Sequence, residues 1–328
     1  MVQIASAPVT RGRGTGVHAM TDDNRKIPAP AIDLYTRFIH GEIGRRAFMR
    51  GVGRYAVGGL TATAIVEALM PNYALGQQVQ KDDERIRASY VTVPSPDGHG
   101  SIRGYLVRPF SADSRSATPA RLPGVIVIHE NRGLNPHTED VARRFALANF
   151  MAFAPDTLTT VGGYPGDDYR GGQLFASLDR AKMTQDLVAA ARWLKARPDC
   201  NGNIAATGFC FGGGQANALA GILGPELAAA APFYGGATPA ADVAKIRAAI
   251  LIHHGALDSR LAADYPAQMA ELARHNVRHE GHLWPDSVHG FFNDATPERY
   301  NPTTAAQAWA RTLEWFNEHT RVAAPAGA

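Results

Sequence analysis

The chain of 328 residues is 45% hydrophobic and 19% charged with only two cysteines, which excludes disordered, collagen-like, coiled-coil and disulfide-scaffold classes and fits one or two globular domains. Its mean hydropathy of −0.19 excludes a protein of many membrane spans. The net charge of +3 divides unevenly: residues 1–76 hold nine basic and five acidic side chains, a balance of +4, and residues 77–328 hold 24 and 25, a balance of −1, so the body has no electrostatic case for nucleic-acid binding.

Residues 45–50 read Arg-Arg-Ala-Phe-Met-Arg, and an apolar stretch over 56–66, too short to span a bilayer, follows Arg54. A twin arginine ahead of an aromatic and a short apolar run resembles a twin-arginine export signal. Small residues in Tyr73-Ala74-Leu75-Gly76-Gln77 place a cleavage after Gly76. That reading leaves one domain over 77–328, no stable membrane insertion after cleavage, the twin-arginine export machinery as a partner, and a periplasmic or secreted protein. The alternative is a cytoplasmic protein whose amphipathic N-terminal arm is retained and packs on the body or on a partner subunit.

From Ser89 onward strand-like runs alternate with helical stretches, the pattern of an α/β fold with a mostly parallel sheet of about eight strands flanked by helices. Tyr90–Val93 and Ile102–Val107, joined through Asp97-Gly98-His99-Gly100, predict an antiparallel hairpin at one sheet edge. The β-branched run Gly124–Ile128 predicts a strand buried on both faces, followed by an amphipathic helix over Pro136–Asn149. Met151–Ala154 is a strand, Leu187–Leu194 belongs to a helix ending before Pro198, and Ile204–Thr207 is the next strand. Ala228–Phe233, Ala249–His253 and Val277–Leu283 complete the strands, and Thr303–Phe316 is a closing helix.

Gly208-Phe209-Cys210-Phe211-Gly212-Gly213-Gly214 stands between a strand and a helix, with glycine two before and two after a cysteine. This is the Gly-x-nucleophile-x-Gly pattern. A sharp strand-to-helix turn strains the backbone of its central residue and leaves no room for side chains on either flank. A helix starting at Phe211 brings free N–H groups and its positive end to the thiol, and the N–H of Phe211 is one oxyanion donor. The bland alternative is a buried structural cysteine. A disulfide with Cys200 is excluded, because a strand advancing about 3.3 Å per residue separates the two far beyond the roughly 7 Å limit for a bridge; Cys200 reads as an ordinary loop thiol.

In enzymes of the α/β-hydrolase fold the order nucleophile, acid, histidine is expected, each on the loop after a successive strand. Asp258, after Ile250–His253, and His289, after the last strand, supply that order, with Cys210 as nucleophile. Asp258 has the alternative role of helix N-cap before Leu261, and His289 that of a turn residue. His253 and His254 are adjacent on a strand end and point to opposite faces, which is poor geometry for sharing one ion, so no metal site is expected.

These residues resemble the dienelactone hydrolase family over about Tyr90–Phe316. The elbow around Cys210, the acid loop His254-Gly255-Ala256-Leu257-Asp258 and the histidine loop His289-Gly290-Phe291 match its three motifs, and His129-Glu130-Asn131-Arg132-Gly133 after a core strand matches a fourth. The resemblance implies a cofactor-independent hydrolase of carboxylic esters or lactones, in which Glu130 contacts the resting cysteine and the N–H of Asn131 completes the oxyanion hole. Glu130 has the alternative role of a capping carboxylate or an ion-pair partner of Arg132. The family holds its substrate's carboxylate with arginines, one of them four residues after the histidine, where this chain has Asn293 followed by Asp294. Arg132 or Arg170 could take that place, and Tyr164, Tyr169 and Phe291 could line an apolar pocket. The same triad would serve a thioesterase or acyltransferase, and a non-catalytic thiol sensor or binding module would use Cys210 alone.

Overall fold

The structure, a computed structural model, describes residues 27–39, 41–56, 61–110 and 121–321. One sheet of eight strands runs in the order β1-β2-β4-β3-β5-β6-β7-β8. β1 (Ile86–Ser95) and β2 (Gly100–Pro109) form the predicted hairpin, paired antiparallel from Ile86 with Pro109 to Ser95 with Gly100. His99 at its turn is tied to Asp186 through Nδ1 at 2.6 Å and through its backbone N–H at 2.9 Å. β2 joins β4 (Met151–Asp156) antiparallel. All later pairings, through β3 (Leu122–Ile128), β5 (Cys200–Phe209), β6 (Ala229–Phe233), β7 (Ala249–Gly255) and β8 (His279–Trp284), are parallel.

The apolar runs of β3, β5 and β7 follow from burial on both sheet faces. Val125 and Val127 point into one core with Phe145 of α4 (Pro136–Leu147) and Phe316 of α10 (Pro302–Thr320). Ile126 and Ile128 point into the other, with Leu187 and Leu194 of α6 (Arg180–Ala196) and Leu219 of α7 (Phe211–Leu223). The two-residue side-chain period of a strand makes that division. Strand boundaries run a few residues beyond the sequence expectation, and the excess corrects one assignment. Cys200 is not a loop thiol: it opens β5 opposite Leu122 and is fully buried. Neither Cys200 nor Cys210 is joined in a disulfide.

The helices α5 (Asp168–Ala176), α8 (Ala240–Val243) and α9 (Ser259–Arg274) complete the body. Ahead of it, α1 (Ala29–Ile39), α2 (Arg45–Val52) and α3 (Ala62–Leu69) bury Ile32, Tyr35, Phe48, Val52, Ile65 and Leu69 in a third cluster, closed from the body by Val288 and Leu257. Part of the apolar stretch 56–66, residues 57–60, lies outside the described residues. Among the described residues no helix is long and apolar enough to cross a membrane.

The sheet order places β3 and β5 side by side while the chain departs from them toward opposite edges. The crevice beyond the carboxyl ends of such a strand pair is where α/β sheets bind ligands. Cys210 follows β5 directly and Glu130 stands two residues after β3.

Candidate active site

Cys210 sits between β5 and α7 with φ 56° and ψ −111°, a left-handed backbone that side chains other than glycine rarely adopt. The flanking glycines are a steric requirement. A Cβ on Gly208 would lie 2.3 Å from the carbonyl oxygen of Gly212, and one on Gly212 would lie 2.3 Å from that of Ile128. The turn is held by the Cys210 N–H donating to the Phe233 carbonyl at 3.1 Å, and the Gly214 N–H donates back to the Cys210 carbonyl at 3.1 Å. Phe211 is the first residue of α7, whose first-turn N–H groups have no acceptor within the helix.

His289 is buried beside this turn, on the loop after β8, with its Nδ1 2.6 Å from Asp258 Oδ2. Burial alone would push the imidazole down. The Asp258 charge and hydrogen bond, joined by a hydrogen bond with Cys210 and its charge, raise it to about 10. Burial would likewise raise Asp258, but the His289 charge and bond hold the carboxyl below its usual value. Asp258 also caps α9, its Oδ1 accepting from the Leu261 N–H at 3.4 Å. One oxygen thus faces His289 and the other caps α9. The ring of Tyr234, whose own backbone is left-handed at φ 38°, lies 4.9 Å from that of His289.

The loop after β3 brings its residues to the same place with different side-chain fates. The Glu130 side chain is half-buried and has neither hydrogen bond nor ion pair with a described residue, so it is not a partner of Arg132. The side chain of Asn131 donates from Nδ2 to the carbonyl of Ile39, at the end of α1, at 2.7 Å. Arg132 lies across Gly171 and Gly172 of α5, where a Cβ on Gly172 would stand 2.1 Å from its Nη1.

A cavity of about 610 Å³ lies beside the loop after β3, lined from the body by Asn131, Arg132, Tyr169, Phe175 and Arg180, with Cys210, Asp258 and His289 outside its lining. The Arg180 guanidinium lies 3.9 Å over the Phe175 ring and 5.6 Å over that of Phe211, the residue after Cys210. Burial disfavours its charge, and the nearby Cys210 side chain favours it.

Of the residues expected to touch substrate, Arg132 faces the cavity and two others do not. Phe291 is fully buried in the core, 5.5 Å from the Tyr234 ring, because the chain turns inward directly after Gly290. Tyr164 donates its hydroxyl to Asp168 at 2.8 Å and is absent from the lining. Arg170 is exposed on α5. Asn293, in the position of the family's arginine, is fully buried and accepts the Ala295 N–H at 3.1 Å in the turn after His289.

Sequence patterns did not single out Asp168, Tyr73 or Arg180. Asp168 accepts from both the Tyr73 and Tyr164 hydroxyls, and burial together with the charge of Glu130 pushes it up against those bonds and Arg132. An Asp at a helix start reads as a cap, so spacing carried no signal for it. His253 and His254 do point to opposite sides of the sheet, toward Thr312 and Gln268. Among the described residues no group of three or more His, Cys, Asp or Glu side chains converges as metal ligands would.

The sequence profile of the Dienelactone hydrolase family matches residues 102–320. A protein of Escherichia coli O157:H7 named "Putative carboxymethylenebutenolidase" is 29% identical over 257 residues, which cover 74% of this chain and 90% of that protein. The "Putative hydrolase fragment YghX" of Escherichia coli K12 is 52% identical over 120 residues, 37% of this chain and 97% of that fragment. Among solved structures, a "Putative Dienelactone Hydrolase" of Klebsiella pneumoniae superposes with a TM-score of 0.62 at 27% identity, covering 71% of this chain and 99% of that one. With the profile matched over more than half of its length, the chain belongs to the dienelactone hydrolase family, hydrolases built on the α/β-hydrolase fold.

Proposed function

We propose that the protein hydrolyses carboxylic esters or lactones with Cys210 as nucleophile, His289 as acid and base, and Asp258 as the carboxylate that orients and charges the imidazole. The observation that carries this is the buried Asp258 Oδ2–His289 Nδ1 pair, 2.6 Å apart, with Cys210 acting electrostatically on the same imidazole and strained at the head of a helix. An imidazolium beside a thiol and a helix N-terminus both favour the thiolate, the attacking species.

In the acylation step the Cys210 sulfur forms a bond to the substrate carbonyl carbon and the carbonyl oxygen becomes an oxyanion, held by the N–H groups of Phe211 and Asn131. Collapse breaks the bond to the leaving oxygen, which takes the proton from His289. A water then loses its proton to the now neutral His289 and attacks the thioester, and the second collapse releases the acid and restores the thiolate–imidazolium pair. The contact between Glu130 and the resting cysteine that the resemblance implies is not among the hydrogen bonds or ion pairs of the described residues, and the half-buried Glu130 side chain takes no step in this scheme. Arg132 is the candidate to meet an anionic group on the substrate. No cofactor enters the scheme.

The test is the initial rate on a short aryl ester and on an enol lactone for the full chain and for Cys210→Ala. Turnover by the wild type that drops to background in a variant with an unchanged circular dichroism spectrum is expected. Equal rates in the two proteins would remove Cys210 from the mechanism.

A further inference from the structure

Residues 27–76 reach the site in a way that a discarded leader would not. Three of the four loops of the candidate site, all but the elbow, have a neighbour in this segment. Asn131 caps the last carbonyl of α1; Leu257, one residue before Asp258, and Val288, one residue before His289, pack in the apolar cluster of α1–α3; Ser259 Oγ donates to Asp33 at 3.2 Å. Tyr35 covers the buried Arg299, with the guanidinium 5.3 Å from its ring.

The outer wall of the 610 Å³ cavity is also this segment, through Phe38, Phe48, Met49, Val66 and Met70. The peptide after Gly76, where a signal peptidase would cut, lies in packed structure. A Cβ on Gly76 would stand 2.7 Å from the backbone nitrogen of Ala295, and the Asn72 N–H donates to the Ala295 carbonyl at 2.6 Å. The Gln78 and Val79 N–H groups donate to the fully buried Asp140 at 3.2 and 2.8 Å.

We propose that residues 27–76 stay on the working enzyme as a built-in cap, and that the cavity between cap and body receives an extended apolar group, aliphatic or aromatic, of the ester substrate. The volume is that of a pocket for a drug-sized molecule, and five apolar side chains of the cap face it, while its body side carries Asn131, a proposed oxyanion residue, and Arg180, whose guanidinium lies 5.6 Å over the ring of Phe211 next to Cys210. A substrate whose carbonyl reaches Cys210 past Asn131 leaves its longer arm under α2 and α3. Retention and export with cleavage are alternative fates of the same residues. The substrate half of the proposal rests on the hydrolase function proposed above; the retention half does not.

Three measurements on the full chain test it. The first is the intact mass of the enzyme recovered from separated periplasmic and cytoplasmic fractions. Residues 27–76 are expected to be present in the folded protein, and a folded species beginning at Gln77 would overturn the cap. The second is the ratio of kcat/KM for p-nitrophenyl octanoate over p-nitrophenyl acetate in the wild type and in Val66→Trp, which fills the cavity from α3. The ratio is expected to fall about tenfold or more, the effect of denying roughly two methylenes their burial; an unchanged ratio overturns the assignment. Thr63→Trp, at an exposed position that also lines the cavity, replaces it if Val66→Trp does not fold.

The third measurement is independent of turnover, so a wild type inert on both esters would sink the hydrolase function without deciding the cavity. Titration with the neutral fluorophore N-phenyl-1-naphthylamine should show binding at one site that the tryptophan variant weakens at least tenfold. No binding by the wild type, or equal binding by both proteins, overturns the apolar cavity.

Discussion

Asp258→Asn separates the two functions of one carboxylate. The amide keeps an oxygen for the Leu261 N–H, so the cap of α9 survives, while the charge facing His289 is lost. In the wild type the imidazole is raised from 6.5 to about 10, a preference for the imidazolium of roughly 5 kcal/mol. Burial works in the opposite direction, and Asp258 is the largest of the groups that overcome it. Without the carboxylate the pKa should return to 6.5 or below. At pH 8 the charged fraction would then be about 3% or less, a loss of about 30-fold from protonation alone, before any cost of a misoriented ring. The assay is kcat/KM for a short aryl ester between pH 5 and 10.5. The wild type should hold its rate until the alkaline limb near 10, and the variant should lose its rate above a limb at or below 6.5 and recover partly toward pH 6. Stability follows the same sign: the raised pKa contributes fully below 6.5, and that contribution is lost as pH rises toward 10, so the stability gap between the two proteins should narrow over that range. An alkaline limb in the variant that coincides with that of the wild type would refute the charge-coupled role of Asp258.

Gly208→Ala drives a methyl to 2.3 Å from a backbone oxygen that is itself part of the elbow, and should cost about 3 kcal/mol or more, seen as a fall in Tm of roughly 6 °C or more. Gly236→Ala, with nothing within 4 Å of the new methyl, should stay within about 0.5 kcal/mol; equal effects at the two sites would refute the steric account of the turn. Asp140→Asn leaves the buried guanidinium of Arg143 and that of Arg144 short of charge. Urea unfolding should show a loss of about 3–5 kcal/mol, with faster amide exchange at Gln78 and Val79, and a loss under 1 kcal/mol would show that the network is dispensable.

Local requirements of the chain were legible in the sequence. The elbow announces itself because a strained nucleophile needs absent side chains two positions away on both sides, a demand that neighbouring letters must meet. The strands β3 and β7 announce themselves because burial on both faces allows only apolar runs, and Asp258 and His289 because loops after successive parallel strands share one edge of the sheet. What depended on distant convergence was not legible. Phe291 and Tyr169 both read as aromatics on loops, yet Phe291 is fully buried in the turn after His289 and Tyr169 is 53% exposed on the first turn of α5, since which way a side chain faces is set by what its segment packs against. The segment before Gly76 resembles an export signal in sequence, and its apolar residues fit a membrane-targeting run and the face of a cap equally well. Only the tertiary structure sets Ile32, Phe48 and Ile65 against Val288, because hydrophobic burial is non-directional and a sequence records the need for a partner without naming it.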